Sequence, residues 1–327
     1  MARKRILSGA RPTGSLHLGH YWGTLVNWVE LQKDYDCFYF VADWHALTTE
    51  FEKPDIIRPA TLEMVMDWLA VGLDPERSVI FVQSRIKEHA ELYLLLGMTA
   101  SVARLERVPS YKAFQEETGR DLSTYGFLGY PVLQAADILM YRAHGVPVGE
   151  DQVAHVELTR EFARRFNNLY GQVFPEPEPL LTKTSKVPGT DGRKMSKSYQ
   201  NAVSLAEDEK SIERKIKTMM TDPARKRRTD PGDPELCPVY DLHKLYNDHE
   251  TLLWAAEGCR SAEIGCLDCK GKLYPRIIEQ LVPVREKRAY YSGRPDEVRA
   301  ILEEGNIKAR AFAVETMELV RKAMKMG

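Results

Sequence analysis

Residues 5–20 of the chain read RILSGARPTGSLHLGH, and this stretch decides the fold. A short run leads into the turn signals Pro12 and Gly14, and apolar residues then recur at helical spacing from Leu18 to Val29. The pattern predicts a strand, a tight loop and a helix.

Further strand-like and helix-like segments alternate along the chain after this stretch. The pattern predicts buried strands at residues 37–42 and 78–82, and helices at residues 56–71 and 88–106. Strands separated by helices of this length imply crossover connections, which build a parallel sheet. The sequence therefore predicts an α/β fold whose ligands bind beyond the carboxyl ends of the strands.

Composition and charge narrow the class of protein. The chain has 327 residues and a formal net charge of -1 at pH 7. This balance excludes a globally basic, RNA-coating protein, so any contact with nucleic acid must come from local patches. No stretch approaches the roughly 18 uninterrupted apolar residues of a membrane span, and no apolar signal region follows the basic residues 1–5. We expect a cytoplasmic protein with no membrane partner.

Two short motifs together describe an ATP site. The HLGH motif (residues 17–20) places two imidazoles at the start of the predicted helix, where unpaired backbone N–H groups and the helix dipole favour phosphate. The KMSKS motif (residues 194–198) places two ammonium groups on a hydroxyl-rich loop. The residues alone leave open that both histidines only cap and pack, and that the second motif is a solvated connector.

Ordered matches along the chain then point to a family. In chain order they are RPTGSLHLGHY (11–21), ADWHALT (42–48), YPVLQAAD (130–137), VPVGEDQ (146–152) and KMSKS (194–198). They resemble the bacterial-type tryptophanyl-tRNA synthetases of class I over essentially the whole chain. The resemblance implies an α/β, Rossmann-like domain over residues 1–200 that activates the amino acid with ATP. It also implies a smaller α-helical, anticodon-binding domain over residues 201–327, whose last helix, residues 306–326, packs back on the first domain.

The resemblance also implies roles for individual residues. The residues implied to bind ATP are Arg11, Pro12, Thr13, Gly19, His20, Gly149, Glu150, Asp151, Val187, Lys194, Met195, Ser196, Lys197 and Ser198. The residues implied to bind tryptophan are Leu7, His45, Tyr130, Gln134, Asp137, Val146, Val148 and Gln152. The implied catalytic groups are His17, His20, Lys194 and Lys197, which would stabilise charge on the triphosphate, with Mg²⁺ on the leaving pyrophosphate. Arg11 stands where several relatives carry glutamine, and a guanidinium there suits a carboxylate or a phosphate.

Asp137 can be weighed on its own chemistry. It lies in the apolar run Ala-Ala-Asp-Ile-Leu, where an unpaired carboxylate would be costly, and Tyr130, Gln134 and Tyr141 share its helix face. The residues alone leave its partner open between an arginine in a structural salt bridge and a ligand. The resemblance implies the indole N–H of tryptophan, a donor that suits a carboxylate that only accepts.

Four cysteines in the last third of the chain form a second unusual feature. Cys237, Cys259, Cys266 and Cys269 comprise two single residues followed by a Cys-x-x-Cys pair. In a cytosolic chain a metal site is a better hypothesis than disulfides, and this arrangement is looser than the paired ligands of zinc ribbons. It is compatible with a [4Fe-4S] cluster held by four thiolates, and zinc or plain buried thiols are the alternatives. A subset of the resembled family carries such a cluster, with one more residue after the first cysteine.

These observations predict an enzyme that activates L-tryptophan with ATP and transfers it to tRNA(Trp). The resemblance further implies a homodimer whose interface includes residues 88–114. Two alternatives stay open. A related enzyme would activate tyrosine, since a phenol also donates to a carboxylate, and a synthetase-like protein would bind RNA or sense redox state without ligase activity.

Overall fold

The computed structural model describes residues 3–108, 124–182, 184 and 186–326. At its centre is a five-stranded parallel sheet with the order β3-β2-β1-β4-β5. The strands are β1 (Arg5–Ala10), β2 (Asp36–Val41), β3 (Ser78–Val82), β4 (Gly145–Val148) and β5 (Glu178–Leu181).

Helices connect and follow the strands. They are α1 (Leu18–His20), α2 (Val26–Leu31), α3 (Asp43–Glu50), α4 (Ile57–Val71), α5 (Glu88–Gly97), α6 (Val102–Leu105), α7 (Tyr125–Met140), α8 (Val153–Tyr170), α9 (Glu209–Thr218), α10 (Pro238–Tyr246), α11 (His249–Arg260), α12 (Cys266–Ser292) and α13 (Pro295–Ala323). A π-helical turn, Tyr21–Leu25, joins α1 to α2. Single 3-10 turns lie at Pro54–Ile56, Gln83–Arg85, Glu150–Gln152 and Pro234–Leu236.

The described chain groups into two compact units. The first unit consists of residues 1–14, 28–182 and 294–327 and contains the whole sheet. The second unit consists of residues 15–27 and 183–293, and its regular elements are helices.

Strands β2 and β4 are buried on both faces, as expected for a parallel sheet with crossover helices. Strand β2 reads DCFYFV, and all of its residues except the first are buried. The ring of Tyr39 stacks on that of Trp28 with 4.5 Å between centroids, and its hydroxyl donates to the Trp28 carbonyl at 3.0 Å. The core of the first unit therefore fixes β2 against the helix that precedes it.

Helix α13 covers the edge of the sheet that strand β3 forms. Strand β3 is an edge strand, and unpaired edge N–H groups invite unwanted pairing. The side-chain oxygen of Asn306 accepts the N–H of Val82 at 2.9 Å. At the neighbouring Gly305 a Cβ would overlap the carbonyl oxygen of Ile80, so only glycine allows this close approach.

The architecture confirms the predicted α/β class with a Rossmann-like parallel sheet and a helical C-terminal region. The predicted strand at residues 78–82 is confirmed, and the helix predicted at 56–71 begins one residue later. The single helix predicted over residues 88–106 is wrong, because residues 98–101 separate α5 from α6. Gly97 and Thr99 are poor helix formers. The Thr99 hydroxyl donates to the carbonyl of Leu96, and such a local side-chain bond competes with the backbone bonds that would continue the helix.

Among the described residues, no helix combines the length and the apolar character that crossing a membrane requires.

Candidate active site

A buried polar cluster of the first unit surrounds Asp137, whose exposure is 0%. Oδ1 lies 2.5 Å from Nδ1 of His89 and 2.8 Å from Nε2 of Gln83. Oδ2 lies 2.7 Å from Nε2 of His45 and 2.9 Å from the same Gln83 nitrogen. Four elements supply these groups: α7, α5, α3 and the 3-10 turn after β3.

The ionisation state of Asp137 decides which group donates in each of these hydrogen bonds. Hydrogen bonds from His45 and His89 outweigh burial, which by itself raises the pKa of a carboxyl group, so the pKa of Asp137 is lowered. An ionised carboxylate only accepts, so His45 donates through Nε2 and His89 through Nδ1. On its other side, His89 Nε2 lies 2.8 Å from the hydroxyl of Tyr141, which donates to it when the ring is neutral. None of the donors to Asp137 in the described part of the chain is an arginine.

The other residues predicted to bind tryptophan lie on neighbouring elements of the same unit. Leu7 on β1 and Val146 and Val148 on β4 are buried on adjacent strands. On α7, Tyr130 and Gln134 are half-buried, and the Tyr130 hydroxyl lies 3.4 Å from Nε2 of His155. 

The turn that follows β4 presents polar groups at a strand end. Gly149 accepts the N–H of Gln152 at 3.0 Å, and the Gln152 amide donates to Asp151 Oδ2 at 3.0 Å. Glu150 and Asp151 are exposed, as are Arg11 and Thr13 after β1, whereas Pro12 is buried. The carboxyl ends of β1 and β4 therefore carry the residues predicted to meet amino acid and nucleotide.

In the second unit, the two histidines of the HLGH motif form a stacked pair, with 3.8 Å between ring centroids. Nδ1 of His17 accepts the N–H of Gly19 at 3.1 Å, and Nδ1 of His20 accepts the N–H of His17 at 3.3 Å. Both rings thus cap the start of α1. Because each Nδ1 is an acceptor, the ring proton of each neutral imidazole lies on Nε2, which is the atom left to donate.

Both imidazoles are held neutral. Burial, followed by the charge of Lys197, lowers the pKa of His17 to about 4. Burial, followed by His17, Lys197 and Lys194, lowers the pKa of His20 to about 3. Each neutral ring can therefore donate one Nε2–H beside two ammonium groups, a combination that suits an anion that accepts hydrogen bonds.

One expectation about the HLGH motif is wrong in detail. The backbone N–H groups of the first turn are not left for phosphate: that of Leu18 donates to the Val203 carbonyl at 3.0 Å, and that of His20 to the His17 carbonyl at 2.9 Å. Together with the capped N–H of Gly19, these bonds use the donors on which a helix N-terminus would rely. Phosphate contacts at this motif must come from side chains.

The first residues of the KMSKS motif form one arm of a small hairpin, and a buried asparagine holds this arm in place. Pro188 pairs with Lys194, and the Met195 N–H donates to the carbonyl of Val187 at 2.9 Å. Asn201, 2% exposed, accepts the N–H of Ser196 at 2.7 Å and donates to the Lys194 carbonyl at 3.2 Å. The backbone of the motif is therefore held at Lys194, Met195 and Ser196.

Backbone bonds tie the HLGH motif to the segment that follows the KMSKS motif. Residues 203–205 run beside residues 16–18: Leu18 N–H donates to Val203, and Leu205 N–H donates to the carbonyl of Leu16 at 3.0 Å. A Cβ at Gly19 would lie 3.4 Å from the Met195 side chain. The second unit thus brings together two motifs that are far apart in the sequence.

The four predicted metal ligands lie in the second unit, one just before a helix and three in two further helices. Cys237 precedes α10, Cys259 lies in α11, and Cys266 and Cys269 lie in the first turn of α12. Burial, followed by the negative charge of the other three, raises the pKa of the Cys269 thiol to about 12. Within the described residues, no group of three or more His, Cys, Asp or Glu side chains has the geometry of a site for a metal ion.

Sequence reasoning missed two residues of this arrangement. His89 belongs to no recognised motif, and only its short distance from the buried carboxylate of Asp137 shows that it is a donor to that group. Asn201 lies three residues beyond the KMSKS motif, and its low exposure in a polar loop is the signal that could have identified it.

Comparison with known proteins agrees with this geometry. Residues 2–282 match the family model "tRNA synthetases class I (W and Y)". The tryptophan–tRNA ligase of Thermotoga maritima is 57% identical over 98% of this chain and 99% of its own length.

Solved structures give the same result. The structure of tryptophanyl-tRNA synthetase from Campylobacter jejuni, complexed with ADP and tryptophan, has a TM-score of 0.87, 33% identity, and coverage of 98% of this chain and 100% of that one. A tyrosyl-tRNA synthetase from Archaeoglobus fulgidus is 24% identical, with a TM-score of 0.68 over 87% of this chain and 90% of its own, and shares the fold. The chain belongs to the class I tRNA synthetases for tryptophan and tyrosine, on the bacterial-type tryptophanyl branch.

Proposed function

We propose that the chain is a tryptophan–tRNA ligase in which Asp137 recognises the indole N–H. The observation that carries the proposal is the buried, ionised carboxylate of Asp137, held by donors from three elements. An indole nitrogen donates and never accepts, so a carboxylate that only accepts is its natural partner. Leu7, Val146 and Val148 supply apolar surface for the ring, and Tyr130, Gln134 and Gln152 supply polar groups for the substrate ammonium.

In the activation step, a carboxylate oxygen of tryptophan attacks the α-phosphorus of ATP and forms a new O–P bond. Pyrophosphate leaves with the electron pair of the P–O bond that breaks. The developing charge spreads over phosphate oxygens and needs positioned donors rather than covalent help. The Nε2–H groups of His17 and His20 and the ammonium groups of Lys194 and Lys197 are proposed as those donors.

The remaining nucleotide contacts are proposed for the turn Gly149 to Asp151, which offers acceptors to the ribose hydroxyls, and for residues 11–13 after β1. Charge on the leaving pyrophosphate is expected to be shared with Mg²⁺. Because Mg²⁺ keeps mostly water and phosphate oxygens as ligands, its binding requires no cage of protein carboxylates. In the second step a terminal ribose hydroxyl of tRNA(Trp) attacks the carbonyl carbon of the adenylate. An ester bond forms, the hydroxyl proton is released, and AMP leaves with the electron pair of the broken C–O bond.

A thiolate-bound metal centre, a [4Fe-4S] cluster with zinc as the alternative, is proposed for the four cysteines after residue 236. Two features of the donor set support it. Burial first, and the charges of neighbouring cysteines after it, raise the pKa of Cys259 and of Cys269, and Arg225 donates to Sγ of Cys259 at 3.6 Å. A buried cation beside thiolates offsets their charge. Such a centre would hold α10, α11 and α12 together.

We also propose a homodimer that works in the cytoplasm, with the anticodon bound by the helical region of residues 201–327. The interface is assigned to residues 88–114, of which 109–114 lie outside the described residues. On α5 and after it, the side chains of Leu94, Met98 and Val102 are 56%, 69% and 57% exposed. Exposed apolar side chains clustered in this way mark an interaction surface.

The test of the proposed activity is ATP–pyrophosphate exchange, run with each amino acid in turn and without tRNA. Exchange with tryptophan alone is the expected result. Exchange with tyrosine would move the chain to the tyrosyl branch, and no exchange with any amino acid would favour a protein that binds RNA or senses redox state without ligase activity.

A further inference from the structure

The carboxylate of Asp137 has no acceptor site left for a ligand. An ionised carboxylate offers about four lone-pair sites, two on each oxygen. Here each oxygen already contacts two donor nitrogens: His89 and Gln83 at Oδ1, His45 and Gln83 at Oδ2. A substrate N–H can bond to Asp137 only if one of these donors withdraws.

The donors differ in their freedom to withdraw. The side chains of Gln83 and His89 are 0% exposed. His89 is also held from behind, because its Nε2 bonds to the hydroxyl of the fully buried Tyr141 at 2.8 Å. The His45 side chain is 11% exposed, and its ring has one hydrogen bond in the described part of the chain, the 2.7 Å contact with Oδ2.

We infer that His45 is a stand-in for the substrate: in the ligand-free protein its Nε2–H occupies the position on Asp137 Oδ2 that the indole N–H takes, and tryptophan binding displaces it. The inference rests on the proposed role of Asp137. Gln83 and the chain Tyr141–His89 are then positioning residues, which keep the carboxylate ionised and oriented during the exchange of donors.

The exchange has a physical advantage. A buried carboxylate that lacked its third donor would lose the stabilisation of a charge-assisted hydrogen bond. With His45 in place, the carboxylate of Asp137 keeps all its hydrogen bonds while the pocket is empty. A ligand that brings an N–H replaces the bond from His45 by one of its own. A ligand of the same shape without a donor has nothing to offer Oδ2.

Indole is the probe that tests this inference, because it lacks the carboxylate and ammonium that His45 or other residues could contact. His45→Ala removes the competitor, so indole is expected to bind between about twofold and about tenfold more tightly than to wild type, the range of one net hydrogen bond. His144→Ala, which alters an exposed imidazole of the same unit that accepts the Arg5 N–H and does not touch Asp137, is the matched control and should leave indole affinity unchanged. Equal or weaker binding of indole to His45→Ala than to this control would overturn the inference.

Asp137→Asn separates the inference from the proposed function. If Asp137→Asn binds indole as wild type does, the assignment of Asp137 as indole acceptor fails. If Asp137→Asn loses indole affinity while His45→Ala gains none, only the stand-in role fails.

A spectroscopic measurement on the wild type answers both questions should either variant fail to fold. The chain has eight histidines, so ring-¹⁵N labelling gives a tractable spectrum in which His45→Asn identifies one signal. Saturating tryptophan is expected to shift the His45 Nε2 resonance and to leave that of His89 in place. The resonance of ¹⁵N-labelled indole in bound tryptophan reports separately on the bond to Asp137. An unmoved His45 signal would overturn the inference.

Discussion

The side-chain oxygen of Asn201 accepts the backbone N–H of Ser196 at 2.7 Å, and its amide nitrogen donates to Asp191 Oδ1 at 2.6 Å and to the Lys194 carbonyl at 3.2 Å. One buried side chain thus holds the backbone of the KMSKS motif at Lys194 and Ser196 and ties it to Asp191. Donors that stabilise a transition state must be held in place before the reaction, so this pinning bears on catalysis.

Asn201→Ala should lower kcat of the pyrophosphate exchange by about tenfold to about a hundredfold, because small misplacements of donors are costly, with little change in KM for tryptophan. Asn247→Ala is the control, since that side chain bonds to His243 in the same unit and not to the loop. A kcat within twofold of wild type for Asn201→Ala would contradict the prediction.

The close approach of α13 to β3 predicts a stability effect. Gly305→Ala forces a methyl group into the Ile80 carbonyl, and overpacking of this kind costs about 1–3 kcal/mol. Gly271→Ala in α12 is the matched control, because nothing lies within 4 Å of its Cβ, and it should stabilise by about 0.5–1 kcal/mol. Thermal unfolding monitored by circular dichroism checks both, and a Gly305→Ala protein as stable as wild type would refute the packing argument.

The histidine pair predicts acid sensitivity. The folded pKa values of His17 and His20 are about 4 and about 3, below the ordinary value of 6.5, so the unfolded chain binds protons that the folded chain does not. Their contribution to the free energy of unfolding is therefore complete above pH 6.5 and is lost as the pH falls from 6.5 towards 4 and 3.

Denaturant unfolding measured at several pH values between 7 and 4 tests this sign. His17→Asn keeps an acceptor at the cap while removing the titrating group, so its stability should fall less steeply with acid than that of wild type. Parallel pH profiles for the two proteins would be the contrary result.

The proposed dimer predicts that Met98→Glu, which places a charge in the exposed apolar patch of residues 94–102, halves the mass measured by sedimentation. A charge at the core of an interface is left without solvation, and this weakens association. Ile307→Glu changes an equally exposed apolar side chain on α13 and should leave the mass unchanged. A wild-type protein that sediments as a monomer would rule out the dimer.

The proposed metal centre predicts that anaerobically purified protein contains iron and acid-labile sulfide, and that Cys259→Ser loses both. Cys37→Ala is the control, because that thiol is buried on β2 in the first unit. Protein that contains zinc without sulfide would favour the alternative metal. Protein that contains neither metal would mean that the four buried or half-buried thiols have a structural role.

Local pattern determined a large part of this molecule. The strand at residues 78–82 and the helix at 56–71 follow from apolar periodicity, because burial of one face requires it wherever the segment lies. The apolar run around Asp137 indicated that the carboxylate needs a partner, since an isolated buried charge is unstable. The motifs predicted an ATP site from the chemistry of their side chains, and the amino-acid substrate was implied by their resemblance to a family.

Tertiary structure decided which groups meet. The partners of Asp137 are His45, Gln83 and His89, which lie 92, 54 and 48 residues away in the sequence, and no periodicity specifies that they converge. Likewise the N–H groups at the start of α1 are used by Val203 and by the His17 ring and carbonyl, which no helix rule predicts. Sequence fixes what each side chain can donate or accept, whereas the packing of distant elements decides which donor faces which acceptor.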